Sequence, residues 1–189
     1  LNDEAGTVIC EWPEGAEKPV VPTPYSEETM HGFEYQAASH LIARGFEREG
    51  LEMVKAVRDR YDGLRRNPWN EMECGSNYAR SMASYALLLI YSGFRYDMSR
   101  GRMGFVPLKG EGRFFWSLDC AWGTVEVRRD ALRLTVEEGT LVLRELICAI
   151  DARQARLDDS DASFHRSEEG IEFDAPLTIS SDSTLTIQG

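Results

Sequence analysis

Apolar positions recur at helical spacing in the first half of the chain and alternate with polar ones in the second half. Between Glu11 and Tyr25, Pro13, Pro19, Pro22 and Pro24 forbid a long helix and predict an extended surface segment. Ser26 is placed as an N-cap, with Glu27 and Glu28 in the first turn. Met30, Phe33, Ala37 and Leu41 then follow at helical spacing and predict a first helix to about Arg44. A second is expected from about Gly50 to Tyr61, with Leu51, Val54, Val57 and Tyr61 on its inner face and Gly63 ending it. From Tyr78 to Ser92 apolar groups fall on every side and Arg80 is the sole charge, which predicts a third helix, buried all round and stopped by Gly93.

Beyond Gly101 the period shortens to two. Val125 and Val127, then Leu132, Leu134 and Val136, precede the denser run Leu141-Val142-Leu143, with turns expected at Arg129-Asp130 and Glu138-Gly139. After a polar, acidic stretch from Asp158 to Asp161, Ile171 and Phe173, Leu177 and Ile179, and Leu185 and Ile187 repeat the alternation. The expected fold class is therefore α+β: helices over residues 1–98 with an extended N-terminal segment, then an antiparallel β-meander over residues 99–189. Three helices, one apolar on all sides, cannot cover each other, so the third must also meet strands, a partner chain or further helices.

The charge balance narrows the function. With 32 acidic and 21 basic residues the net charge is −11, which disfavours nucleic acid and anionic membranes and suits a neutral ligand such as a saccharide. No apolar run reaches the roughly 18 residues of a membrane span. The N-terminus has neither a basic start nor an apolar core, so no secretory leader is expected. Cys10, Cys74, Cys120 and Cys148 are scattered, without metal-ligand spacing, and read as free thiols in a reducing, cytoplasmic setting; no metal or cofactor is expected.

Arg80 poses the main chemical question, because a guanidinium on a buried helix should not go unpaired. Glu71 or Glu73, folded back from the preceding loop, supplies the opposite charge, and a polar ligand is a further partner for the fork. By local geometry the two acids make a poor catalytic pair, since glycosidases hold their carboxyls about 5–5.5 Å or about 6.5–9.5 Å apart across a sugar. Trp69 has two readings, stacking on a sugar face or anchoring the loop in the core. Glu34 faces either the same cavity or, as the preferred reading, solvent. His31 and His40, nine apart, read as ordinary polar helix positions, and Ser81 and Ser84 lack a histidine and acid to activate them. Gly101, Gly104, Gly110 and Gly112 among basic residues read as a flexible connection, and Arg65-Arg66 and Arg128-Arg129 as solvated turns.

The run Arg65-Arg66-Asn67-Pro68-Trp69-Asn70-Glu71-Met72-Glu73-Cys74-Gly75-Ser76-Asn77-Tyr78-Ala79-Arg80-Ser81-Met82-Ala83-Ser84-Tyr85 carries a resemblance. Gly32-Phe33-Glu34-Tyr35, Ala37-Ala38-Ser39-His40, Gly50-Leu51-Glu52, Arg58 to Gly63 and Gly93 to Asp97 extend it. Together these pieces resemble the catalytic-domain signature of glycoside hydrolase family 116, whose members include β-glucosidases and a glucosylceramidase. The resemblance implies an (α/α)6 toroid, with the helices of this chain as its closing members and the active site at its mouth. It implies that Glu71 and Arg80 hold glycone hydroxyls. The family's nucleophilic glutamate and acid/base aspartate lie upstream of the signature, so no catalytic residue is expected within this chain. The expected partners are a β-glucoside or related saccharide and the upstream part of the same catalytic domain or a partner chain. The missing initiator methionine means either that a leader or tag was removed or that the chain is cut from a longer protein, which the resemblance favours. Met30 departs from the animal enzymes, which have tryptophan near that place. The alternative is a non-catalytic carbohydrate-binding or assembly module.

Overall fold

Helix α1 spans His31–Ala43 and helix α2 spans Glu47–Arg60 in the computed structural model, which describes residues 4–20, 23, 24, 26, 29–67 and 80–189. The chain divides into two compact units, Leu1–Leu87 and Leu88–Gly189. In the first, α1 begins later than the N-cap signal at Ser26 predicts. Met30 takes the N-cap position in an extended conformation, and no side chain caps the helix. Ser26 is buried, and its carbonyl accepts the Cys10 N–H at 3.0 Å while Val8 bridges Thr29 antiparallel. Backbone pairing with the N-terminal segment thus takes the place of a helical turn.

The buried face of α1 is one step out of phase with the expected one. His31, Glu34, Tyr35, Ala38, Ser39 and Ile42 point inward, whereas Phe33 and Ala37 are exposed. Glu34, expected in solvent, forms an ion pair with Arg60 of α2, their side chains 2% and 5% exposed respectively. The Thr7 N–H donates to Glu34 Oε1 at 2.9 Å, and Arg60 also donates to the Ala5 carbonyl. Arg66, expected in a solvated turn, pairs instead with Glu4. The two helices approach closely at Gly50, where an added Cβ would lie 2.7 Å from the Ala38 carbonyl oxygen. Tyr35, Val57 and Tyr61, with Val54, Ala83 and Leu87 against them, form the small apolar core.

The third helical segment corrects two expectations. It is a 3-10 turn, Arg80–Ser84, followed by the eight-residue α3, Tyr85–Ser92. Within α3 Ser92 alone is classed as buried, and Tyr85 and Leu89 are 70% and 46% exposed. Apolarity on all sides reports a preference for burial, not the presence of a covering surface. Toroid-type helical hairpins are not seen among the described residues: three short helices accompany ten strands, and the chain is mostly β.

The second unit holds β1 (Phe94–Asp97), β2 (Arg102–Phe105), β3 (Gly112–Ser117), β4 (Ala121–Val127), β5 (Ala131–Cys148), β6 (Gln154–Leu157), β7 (Ser160–Asp161), β8 (Phe164–Arg166), β9 (Gly170–Ser180) and β10 (Thr184–Gln188). All ten belong to one continuous sheet, and β5 is its spine. The first half of β5 pairs with β4 and β10, and its second half with β9 and β2. The β2–β5 pairing is parallel, so the sheet is mixed rather than an antiparallel meander. The turn expected at Glu138-Gly139 is also absent. Leu132, Leu134 and Val136 face inward on even positions and Leu141 and Leu143 on odd ones, so one extra residue has been absorbed between them. The extra residue is Glu137, because Trp122 pairs with Glu138 and the next residue, Gly123, with Val136. A second shift lies between Leu143 and Glu145 and returns Leu146 to the core. The Gly101–Gly112 stretch is not a flexible connection: it contains β2, and Gly104 lets β2 lie directly against Ile147.

The Glu34–Arg60 pair yields a stability test. Glu34→Gln or Arg60→Met alone should cost about 3–5 kcal/mol, because each leaves a buried charge uncompensated, while the Glu34→Leu/Arg60→Met double variant should recover most of the loss. Urea denaturation followed by far-ultraviolet circular dichroism measures this; equal losses in the single and double variants would refute it.

Candidate functional site

The phase of α1 creates the most sequence-relevant surface of the first unit. Because Glu34 and Tyr35 turn inward, Phe33 and Gln36 turn outward, leaving the Phe33 ring 49% exposed. The 3-10 turn runs against the same helix. Gly32 permits this approach, since a Cβ there would stand 3.0 Å from the Arg80 Cβ and 3.4 Å from its carbonyl oxygen. Arg80 consequently lies over the Phe33 ring, its guanidinium carbon 5.5 Å from the centroid. Gly32, Phe33, Gln36, Ser39, Arg80 and Met82 line a groove of about 440 Å³.

The groove's chemistry follows from these groups. A guanidinium fork and the Gln36 amide can address hydroxyl oxygens, and the Phe33 and Met82 surfaces accept C–H groups. Ser39 takes little part, because its hydroxyl donates at 2.7 Å to the Tyr35 carbonyl of its own helix. No carboxylate lines the groove among the described residues. Of the expected site residues, Arg80 is placed here; Glu71 and Trp69, like Glu73, lie outside the described residues. Phe33 belongs to the apolar series that predicts α1, and spacing gives no signal for Gln36. The signal for both was Glu34, whose inward position fixes the phase.

Behind the groove lies a buried histidine. His31 is 1% exposed, and its ring meets Tyr61 edge-on, with centroids 4.6 Å apart and planes at 69°. Burial, then the cationic Arg60 and Arg80, push its pKa below the ordinary histidine value. His40, in contrast, is exposed, as an ordinary polar helix position should be.

Other chemistry-bearing clusters are internally satisfied. In the second unit Arg95 pairs with Glu169 at 3.1 Å and Arg166 with Asp151 around a cleft of about 480 Å³, and Arg102 pairs with Glu145 at 2.9 Å. Cys148 in that cleft is buried, which raises its thiol pKa and lowers its reactivity. Cys10 and Cys120 are likewise free, whereas Cys74 lies outside the described residues. Among the described residues no three metal-ligating side chains converge, and no helix is long and apolar enough to cross a membrane.

No family model matches the chain, and no curated protein matches it. Among solved structures it is similar to a family 127 β-L-arabinofuranosidase from Geobacillus stearothermophilus T6, at 14% identity and a TM-score of 0.37. The alignment covers 69% of this chain and 22% of that one. That protein is a glycoside hydrolase of a different family, and the comparisons do not support the family 116 assignment expected from the sequence. At this level of likeness, function is argued from the site.

The state of His31 gives the helical unit a defined pH response. Below the ordinary value near 6.5 the unfolded chain takes up a proton that the folded chain, with its lowered pKa, does not. The histidine-linked stability is therefore fully present above that pH and falls as the pH drops through the window toward the folded value. Thermal melts between pH 7.5 and about pH 5 should show this loss, and His31→Gln should flatten it; an equally steep profile in the variant would exclude His31 as its source.

Proposed function

We propose that the Phe33–Arg80 groove is the glycone-binding part of a glycoside hydrolase of the family 116 type, acting on a β-glucoside or related saccharide. The observation that carries this reading is the placement of Arg80 over an exposed aromatic ring in an open groove, at the arginine the sequence signature marks for sugar hydroxyls. In this reading Arg80 donates to hydroxyl oxygens, Glu71 accepts from hydroxyl protons, and Trp69 offers a second apolar face. A charged donor to a neutral hydroxyl is a strong hydrogen bond that holds the sugar, and a hydroxyl donating to a carboxylate tightens as positive charge develops on the ring, which favours the transition state over the ground state. The carboxylates that break the glycosidic bond would come from another part of the same protein or from a partner chain. Free Cys10, Cys120 and Cys148 fit a reducing, cytoplasmic setting.

A second reading is a carbohydrate-binding module without hydrolysis, for which the guanidinium, amide and ring surfaces lining the groove suffice. The two readings share the binding step and divide on catalysis.

Calorimetric titration of the chain with methyl β-D-glucoside tests the shared step. Arg80→Ala should remove about 1.5–3 kcal/mol of binding free energy, roughly a 10- to 150-fold loss of affinity. Unaltered affinity in Arg80→Ala would sink the assignment. Hydrolysis of an aryl β-glucoside by this chain alone would overturn the placement of the catalytic carboxylates elsewhere.

A further inference from the structure

The second unit carries an aromatic surface that the Phe33–Arg80 groove does not use. Tyr96 on β1 is 60% exposed, yet its ring is backed by an ordered stack. Its centroid is 5.3 Å from that of Phe94, and Phe94 stacks at 4.9 Å and 13° on its register partner Phe105, which is fully buried. The exposed ring is therefore held in place before any ligand arrives, which lowers the ordering cost of binding. It forms one wall of an open cleft of about 770 Å³ completed by Asp97, Met98, Ser117, Leu118 and Asp119, within the roughly 300–1,000 Å³ of small-molecule sites.

A second exposed pair adjoins this cleft. Ser117, a lining residue, is the register partner of Trp122 on β4. Trp122 is 42% exposed, and its ring centroid lies 6.1 Å from that of Phe115, itself 49% exposed. One end of the β3–β4 hairpin thus carries aromatic rings beside carboxylates and a hydroxyl.

We propose that this surface is a second saccharide-binding site, taking a neutral oligosaccharide with one sugar ring on Tyr96 and the chain continuing toward Trp122. The C–H face of a pyranose matches an exposed aromatic ring, while its hydroxyls match the Asp119 carboxylate and the Ser117 hydroxyl. An anionic ligand would meet the Asp97 and Asp119 carboxylates and the overall charge of −11. A cationic one would find Asp97 already engaged, since it accepts from the Ser99 hydroxyl and pairs with Arg100 at 3.6 Å. The site is separate from the Phe33–Arg80 groove and stands whether or not that groove binds glycone.

The test is a cellobiose titration of the ¹⁵N-labelled chain followed by heteronuclear NMR. Amide shifts at Tyr96, Ser117 and Asp119 and at the Trp122 indole are expected, and Tyr96→Ala should weaken the affinity reported by this set about tenfold or more, whereas Tyr96→Phe should stay within about threefold. Arg80→Ala should leave the set unchanged. Because Tyr96 is mostly exposed, a well-dispersed spectrum of the alanine variant is expected and verifies folding, and the phenylalanine variant reports the ring independently. Shifts confined to Phe33, Gln36 and Arg80 would overturn the second site while leaving the first intact; no shift at the Tyr96 set, or wild-type affinity in Tyr96→Ala, would also overturn it.

Discussion

The buried Glu34–Arg60 ion pair is the constraint from which the arrangement of the helical unit follows. Removing two charges from water is costly, and the pair persists because each ion finds additional partners: the Thr7 N–H for Glu34 and the Ala5 carbonyl for Arg60. It joins α1, α2 and the N-terminal segment at one point. The compensation is incomplete, since Arg60 Nε is buried without a hydrogen-bond partner. A pair with that defect is better understood as specifying an arrangement than as a large source of stability. What it specifies is the rotation of α1. With Glu34 inside, Phe33 must lie outside, and the ring on which Arg80 rests is available to a ligand.

An analogous constraint organises the β unit through β5. Eighteen residues of continuous strand would carry a single set of side chains on one face, yet this strand contributes residues of both parities to the core. The register shifts at Trp122/Gly123 against β4 and at Leu143/Glu145 against β9 reconcile the two. They allow one strand to serve two sets of neighbours, with Leu132 and Leu134 packing on one side of the change and Leu141 and Leu143 on the other within a common apolar cluster. The parallel β2–β5 pairing depends on the same strand, and Gly104 is its steric condition.

How much of this was legible depends on which physical signal the residues carried. Strand positions were readable because Val125, Val127, Leu132, Leu134, Ile171, Ile179, Leu185 and Ile187 alternate and are all buried. The Glu138-Gly139 break was read as a turn because glycine after a polar run signals both a turn and a bulge, and only pairing with β4 separates them. Parallel pairing of β2 left no trace in four residues. In α1 the apolar set Met30, Phe33, Ala37 and Leu41 competed with Tyr35, Ala38 and Ile42, and a buried charge decided between them; hydrophobic periodicity cannot register an ion pair formed 26 residues away. Arg80 was legible as an arginine needing a partner, although its setting on a 3-10 turn beside an exposed ring was not.

Net charge and local field part company at the helical site. The chain as a whole is acidic, but the guanidinium carbons of Arg60 and Arg66 stand 5.8 and 6.0 Å from the Tyr61 ring centroid, and Arg80 is close enough to disfavour protonation of His31. Two of these arginines are neutralised by Glu34 and Glu4. The groove has the Phe33 ring and Arg80 in its lining, while the buried His31 is held toward its neutral form. A charge added at position 31 would sit beside Arg60 and Arg80 in a site with little water to screen it. Holding that ring uncharged avoids a third positive charge beside Arg60 and Arg80.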